Sequence, residues 1–245
     1  MVTIGIDHIQ FSVPELPAST AFLEGLGWSL DFQQANFAPT ARPYFREVGK
    51  SMAYLKRGRS AIELINASSH PGPVSWMPIF SSRLPGEVCS KGSASGEEVE
   101  VRAEELGTAC RCLDVMEEDA ELCGVRLSSA KPEASAAFLE SLGFKRNADI
   151  VGISLTYPPS IVGMGLTVTI VAGPELIEKA YVDDLGLSLI AMLATDLDAG
   201  VKVMNAAGYC STEIYDYQIN GRPISNFVVQ GPGGELVELI QIGRA

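Results

Sequence analysis

The chain has 245 residues, 47% of them apolar, and carries 30 acidic against 18 basic side chains for a formal net charge of -12. That is enough apolar material for one large core or two ordinary ones, while the acidic surplus excludes nucleic acid and anionic membrane surfaces, both of which need clustered Lys and Arg. No apolar run approaches a membrane span and MVTIGIDH lacks the basic and apolar regions of a secretory signal, so the expected compartment is the cytosol, with Cys89, Cys110, Cys112, Cys123 and Cys210, none in C-x-x-C spacing, as reduced, packed thiols.

In chain order, Ile9, Phe11 and Val13 alternate with His8, Gln10 and Ser12, which predicts a strand with His8, Gln10 and Ser12 on one face. Ala18 to Leu26 has helical spacing and Gly27 supplies its stop. Strands follow at WSLDFQQ, SMAYLKRG and SAIELIN. In the last, Glu63 shares a face with Ala61 and Ile65, a costly place for a carboxylate unless something pairs with it or binds it. Trp76 to Phe80 and Thr108 to Val115 would open and close a second, shortened module whose polar middle, SKGSASGEEVEVRAEEL, reads as an exposed loop or as a disordered linker. A third module has a strand at Val125 to Ser129, a helix at Glu133 to Leu142, and strands at FKRNAD, GISLTYPP and LTVTIVAG. A fourth runs from Leu189 to Ala194 through a helix over 198–207 and strands at STEIYDYQ and ISNFVVQG to Glu235 to Ile240. Pro232-Gly233-Gly234 forms the turn before that last strand. His70, in SSHPGP, reads as a loop residue.

The modules are copies. Shifted by 116 residues, Ala18 to Trp28 falls on Ala134 to Phe144 with eight of eleven pairs identical, and a weaker copy lies at an offset of 181. Glu63 and Glu238 take the same place in their modules. The expected organisation is an α+β chain of βαβββ modules, with 1–121 holding a clear module (1–66) and a degenerate one (67–121), and 122–245 holding the other two. There is no Gly-rich phosphate loop, no G-x-S-x-G elbow and no dinucleotide fingerprint.

The βαβββ repeat, the opening D-H-I-x-F-x-V, the helix ending F-L-x-x-L-G-W, the strand A-I-E-L-I and the C-terminal G-P-G-G-E-L-V-E-L resemble the vicinal oxygen chelate superfamily of glyoxalases, extradiol dioxygenases and bleomycin-binding proteins. The resemblance implies that glyoxalase-like modules pair into curved-sheet cups, each able to hold a divalent metal through the first and last strands of its modules. Carried over by position, it implies His8, Glu63 and Glu238 as metal ligands, with Glu63 and Glu238 also catalytic. The fourth place falls on Leu189, or on Gly124 at the smaller offset, and neither binds metal.

One imidazole and two carboxylates suit Mn, Fe, Ni or Zn. Gln10 and Ser12 would orient substrate, Tyr215 and Tyr217 would line the first cup, and Arg126, with no metal ligand beside it, would meet a carboxylate or phosphate in the second. The leading expectation is a metal-dependent isomerase or lyase acting on a small oxygenated molecule, ahead of a ring-cleaving dioxygenase, which typically shows two histidines where only His8 is present. The rival is a metal-free binding protein of the antibiotic-sequestering type, in which His8 is an ordinary hydrogen-bonded histidine and the glutamates are relics or pair with Arg. With the modules in one chain, either a monomer or a homodimer is expected.

Overall fold

The computed structural model describes residues 3–38, 43–68, 76–80, 87–91, 98–106, 108–113, 122–148, 152–175 and 179–243; His70 lies outside them. Module one is β1 (Thr3–Val13), α1 (Leu16–Gly25), β2 (Ser29–Ala38), β3 (Lys50–Arg57) and β4 (Ser60–Asn66). Module three is β9 (Leu122–Ser129), α2 (Pro132–Ser141), β10 (Lys145–Arg146), β11 (Ile153–Tyr157) and β12 (Leu166–Ala172). Module four is β13 (Gly186–Ala194), α3 (Leu197–Ala206), β14 (Cys210–Ser211), β15 (Tyr215–Ile219), β16 (Arg222–Gln230) and β17 (Leu236–Ile242).

Module two corrects an expectation. Between β5 (Trp76–Phe80) and β8 (Thr108–Leu113), β6 (Glu87–Lys91) ends at the start of the polar middle and β7 (Glu98–Ala103) lies within it, while 92–97 lie outside the described residues. The strands β6 and β7 pair antiparallel with Val88 opposite Val101, and β7 continues the ladder to β8. The alternation of Val99 and Val101 with Glu98, Glu100 and Arg102 is a strand signal that the acidic composition masked. No α-helix occurs in this module among the described residues.

The conserved look of the repeat has a local cause. After α1, Gly27 sits at φ 84°, its N–H reaching Glu24 O and that of Trp28 reaching Leu23 O. The same pair of bonds recurs at Gly143 and Phe144 after α2 and at Gly208 and Tyr209 after α3. This is a Schellman stop, in which glycine takes the left-handed turn and the next residue, an aromatic, folds back on the helix. Substituting Gly27→Ala is expected to cost about 1–2 kcal/mol, the left-handed penalty of an L-residue, read as a lower urea midpoint with unchanged slope.

The modules pair crosswise. Modules one and four form a nine-stranded sheet ordered β14-β16-β17-β13-β1-β4-β3-β2 with β15 on β16, and modules two and three form an eight-stranded sheet ordered β10-β11-β12-β9-β5-β8-β7-β6. β1 meets β13 antiparallel with Ile9 opposite Ile190, so the offset of 181 read from the sequence is the structural equivalence. Ile62, Leu64, Val237 and Leu239 face a core that also takes Leu23 from α1, Trp28 from the turn after it and Phe138 from α2. Met52, Tyr54, Ile65, Leu189, Leu236 and Ile240 face the other way, into the cup of the nine-stranded sheet.

Three contacts shape that cup. At one end Pro43 to Lys50 is clamped to Lys179 to Asp184: Val182 N–H donates to Tyr44 O, the backbone N–H groups of Arg46 and Glu47 donate to Asp183, and the Lys50 ammonium lies 3.3 Å from the Asp183 carboxylate. Across the mouth, the Gln34 amide donates to Gln218 O and accepts from Asn220 N, tying β2 to the β15–β16 turn. The segment between β11 and β12 crosses from the other sheet, where Met164 N–H donates to Ile6 O. Gly5 and Gly163 pack there so closely that a Cβ on Gly163 would stand 2.7 Å from the Gly5 Cα.

Candidate functional site

The concave face of the nine-stranded sheet holds a cavity of about 340 Å³. At its floor, β1 bulges: Ile6 pairs with Met192 and His8 with Ala191, leaving Asp7 as the extra residue. A bulge places two successive side chains on one face, and Asp7 and His8 both line the cavity. The Asp7 carboxylate accepts from the Tyr54 hydroxyl at 3.0 Å and contacts His8 Nδ1 at 2.8 Å. The Tyr54 ring stands edge-on to His8 at 5.5 Å and stacks on Phe32.

His8 is 3% exposed, and its Nε2 makes no hydrogen bond, with a Glu63 oxygen 3.7 Å away. Burial alone would lower its pKa, but the carboxylates of Glu63, Asp7 and Glu238 around it hold it at about 9. Burial raises the Asp7 carboxyl, and its bonds to His8 and Tyr54 more than offset this, leaving it below the usual carboxylate range. Burial and the facing carboxylates push the Tyr54 hydroxyl well up.

The ladders explain which expected residues meet. Glu63 pairs with Gln10 and Glu238 with Ala191, the residue opposite His8, so the two glutamates are equivalents facing one cavity. Ala191 stands between His8 and Glu238 in the ladder. Leu189, opposite Gln10, takes the fourth donor place and lines the wall. Tyr215 and Tyr217 also line it.

Gln10 reaches the cavity, but its amide donates to Val182 O and Ser188 Oγ, and Ser12 Oγ donates to Val182 O. These two hold the clamp at the far end, and Ser12 does not line the cavity. Arg126 lies in the eight-stranded sheet between Met77 and Thr169, half-buried and away from this cavity. There the equivalent of Glu63 is Thr169 and that of Glu238 is Arg111, neither a carboxylate. Sequence reasoning missed Asp7, because strict alternation turns it outward, and Tyr54, although the alternation of Met52, Tyr54 and Lys56 was legible. It also missed Asn226, whose amide donates to Glu238 Oε1.

The residues present fit a divalent cation in donor chemistry. An orphaned buried imidazole nitrogen faces a carboxylate, and the other ring nitrogen is held by a second carboxylate, the outer contact that metal-binding histidines usually make. No trio of His, Cys, Asp or Glu is already drawn together around an ion position among the described residues.

A cup of two βαβββ modules closed by β1 against β13, with its polar groups on the first and last strands, is a glyoxalase-like fold. Solved structures share it along nearly the whole chain. A "putative dioxygenase" from Bacillus subtilis superimposes with a TM-score of 0.65 at 17% identity, over 99% of this chain and 86% of that one. Glyoxalase I from Zea mays does so with a TM-score of 0.62 at 16% identity, over 97% of this chain and 92% of that one. No protein-family model matches the sequence, and no curated protein sequence does. Among the described residues no helix is long and apolar enough to cross a membrane.

Proposed function

We propose that the cavity binds a small oxygenated molecule and that His8, Glu63 and Glu238 hold a divalent metal there for an isomerase or lyase reaction. The observation that carries this is the buried, unbonded Nε2 of His8 facing Glu63 in the cup. The ion would supply Lewis acidity toward neighbouring substrate oxygens. Asp7 holds the Nδ1–H side of the ring, so that a metal ion displacing the Nε2 proton would meet that nitrogen from the cavity. Tyr54 fixes Asp7, and Phe32 fixes Tyr54. Glu63 and Glu238, on facing last strands of the cup, would move a proton on a bound substrate. His8 is the one imidazole among the lining residues, which favours isomerase or lyase chemistry over a ring-cleaving dioxygenase. One chain supplies both modules of the cup, so a monomer suffices.

Metal content of tag-free protein after reconstitution with Mn(II), Ni(II) or Zn(II) tests the reading. The wild type is expected to hold close to one ion per chain, and His8→Ala and Glu238→Ala to lose it. Asp7→Ala is expected to keep the ligands and weaken affinity about 10–100-fold, as the loss of an outer-shell partner does. A wild type that binds none of the three overturns the metal-dependent reading. It leaves the rival, a metal-free binding cup, which Leu189 in the fourth donor place favours.

A further inference from the structure

The same cavity carries a charge pattern that names a class of ligand, and this inference rests on the cavity being a ligand site. The β3–β4 turn, the β15–β16 turn and the end of β17 all lie at one end of the cup. β4 runs parallel to β1, β13 and β17 run opposite to β1, and β16 runs opposite to β17. The clamp of Tyr44 and Val182 lies at the other end.

Three cations line the open end: Lys56, Arg59 and Arg222. Lys56 is paired with Asp31 at 2.6 Å. Arg59 and Arg222 are exposed and have no carboxylate partner among the described residues; Arg59 Nη1 reaches only Ser160 O, at 3.4 Å. Beside them Val162 and Ile242, each 54% exposed, form an apolar lip. On a chain with 30 acidic and 18 basic residues, two arginines with no carboxylate partner among the described residues make a local attractor at the cavity mouth where the overall field repels anions. Between that mouth and the polar floor of Asp7, His8, Glu63 and Glu238, the wall carries the aromatic and aliphatic side chains of Phe32, Tyr54, Ile224 and Ile240.

We propose that the ligand is an amphipathic organic anion, its ring-sized apolar body inside the cavity and its anionic group held at the mouth by Arg59 and Arg222. Arginine suits this, since its planar fork can meet a carboxylate or a phosphate with two parallel bonds.

The test uses 2-naphthoate, its neutral isostere 2-naphthamide, and 2-naphthyl phosphate, titrated calorimetrically into full-length protein in chelator at low ionic strength. The anions are expected to bind about tenfold more tightly than the amide, the sum of two partly screened charge contacts. The preference should shrink with added salt. In Arg59→Gln/Arg222→Gln it should fall to about parity with amide affinity unchanged, and whichever anion binds more tightly identifies the group. Equal binding of acid and amide by the wild type, a preference that survives in the double variant, or binding of none of the three overturns the proposal. Because the chelator removes metal, each result stands apart from the metal-content experiment.

Discussion

Replacing Asp183 by alanine is expected to destabilise the protein by about 3–5 kcal/mol, the range for leaving a buried charge without its partner. Asp183 is 0% exposed and Lys50 is 4% exposed. The carboxylate accepts from the backbone N–H groups of Arg46 and Glu47 and faces the Lys50 ammonium, whose other partner is the half-exposed Glu47. Alanine would orphan two backbone donors and half-strip a buried cation at once. The Asp31–Lys56 pair, with both partners about half exposed, is the control: Asp31→Ala should cost about 1 kcal/mol or less. Urea unfolding of both variants checks the contrast, and equal losses would refute the argument from burial. Because Tyr44 and Val182 on the clamp also line the cavity, Asp183→Ala should weaken ligand binding at temperatures where the chain is still folded.

Glu235→Gln is expected to act in the opposite direction, raising stability at neutral pH by about 1 kcal/mol or more, the extra desolvation cost of a buried charge over a neutral amide. Glu235 is 0% exposed beneath the Gly231–Gly234 turn, and neither carboxyl oxygen finds a well-aligned hydrogen-bond partner. Burial raises its pKa above the ordinary carboxylate value, more than the neighbouring backbone N–H groups and the Ser135 hydroxyl lower it. The sign follows. Below the unfolded-state pKa the group is protonated in both states and costs little. As pH rises from there toward the folded-state pKa, only the unfolded chain ionises freely, so folding stability falls; above the folded value the loss is constant. Wild type should therefore lose stability across this window and Glu235→Gln should not. Thermal melts at pH 4.5 and pH 7.5 for both proteins measure it, and parallel pH dependences would refute it.

Much of this molecule was readable from its residues because it is repetitive. Period-2 alternation put Glu63 and Glu238 on the cup face of their strands, and the offset of 181 aligned Ile9 with the residue that now pairs with it. The Gly-aromatic pair at 27–28, 143–144 and 208–209 marked each helix end, because glycine takes the left-handed turn that closes it. What stayed hidden is either irregular or long-range. Asp7 enters the cavity through a bulge that alternation cannot announce. Gln10 and Ser12 share the cup face, yet their polar atoms are engaged by Val182 and Ser188, some 170–180 residues away in sequence. The clamp joins Lys50 to Asp183, and no local pattern links them. Arg126, by contrast, was placed by the repeat: it shares its register position with Gln10 and lies in the other sheet.

Building the cup from modules one and four of a single chain has a consequence for how its chemistry can change. In a symmetric dimer every substitution is made twice, once on each side of the interface. Here Leu189 differs from its counterpart His8 without any matching change, so each wall can be altered independently. Donor number can then be traded singly: Leu189→His would add one imidazole while leaving the arginine mouth and the Asp7 bulge as they are.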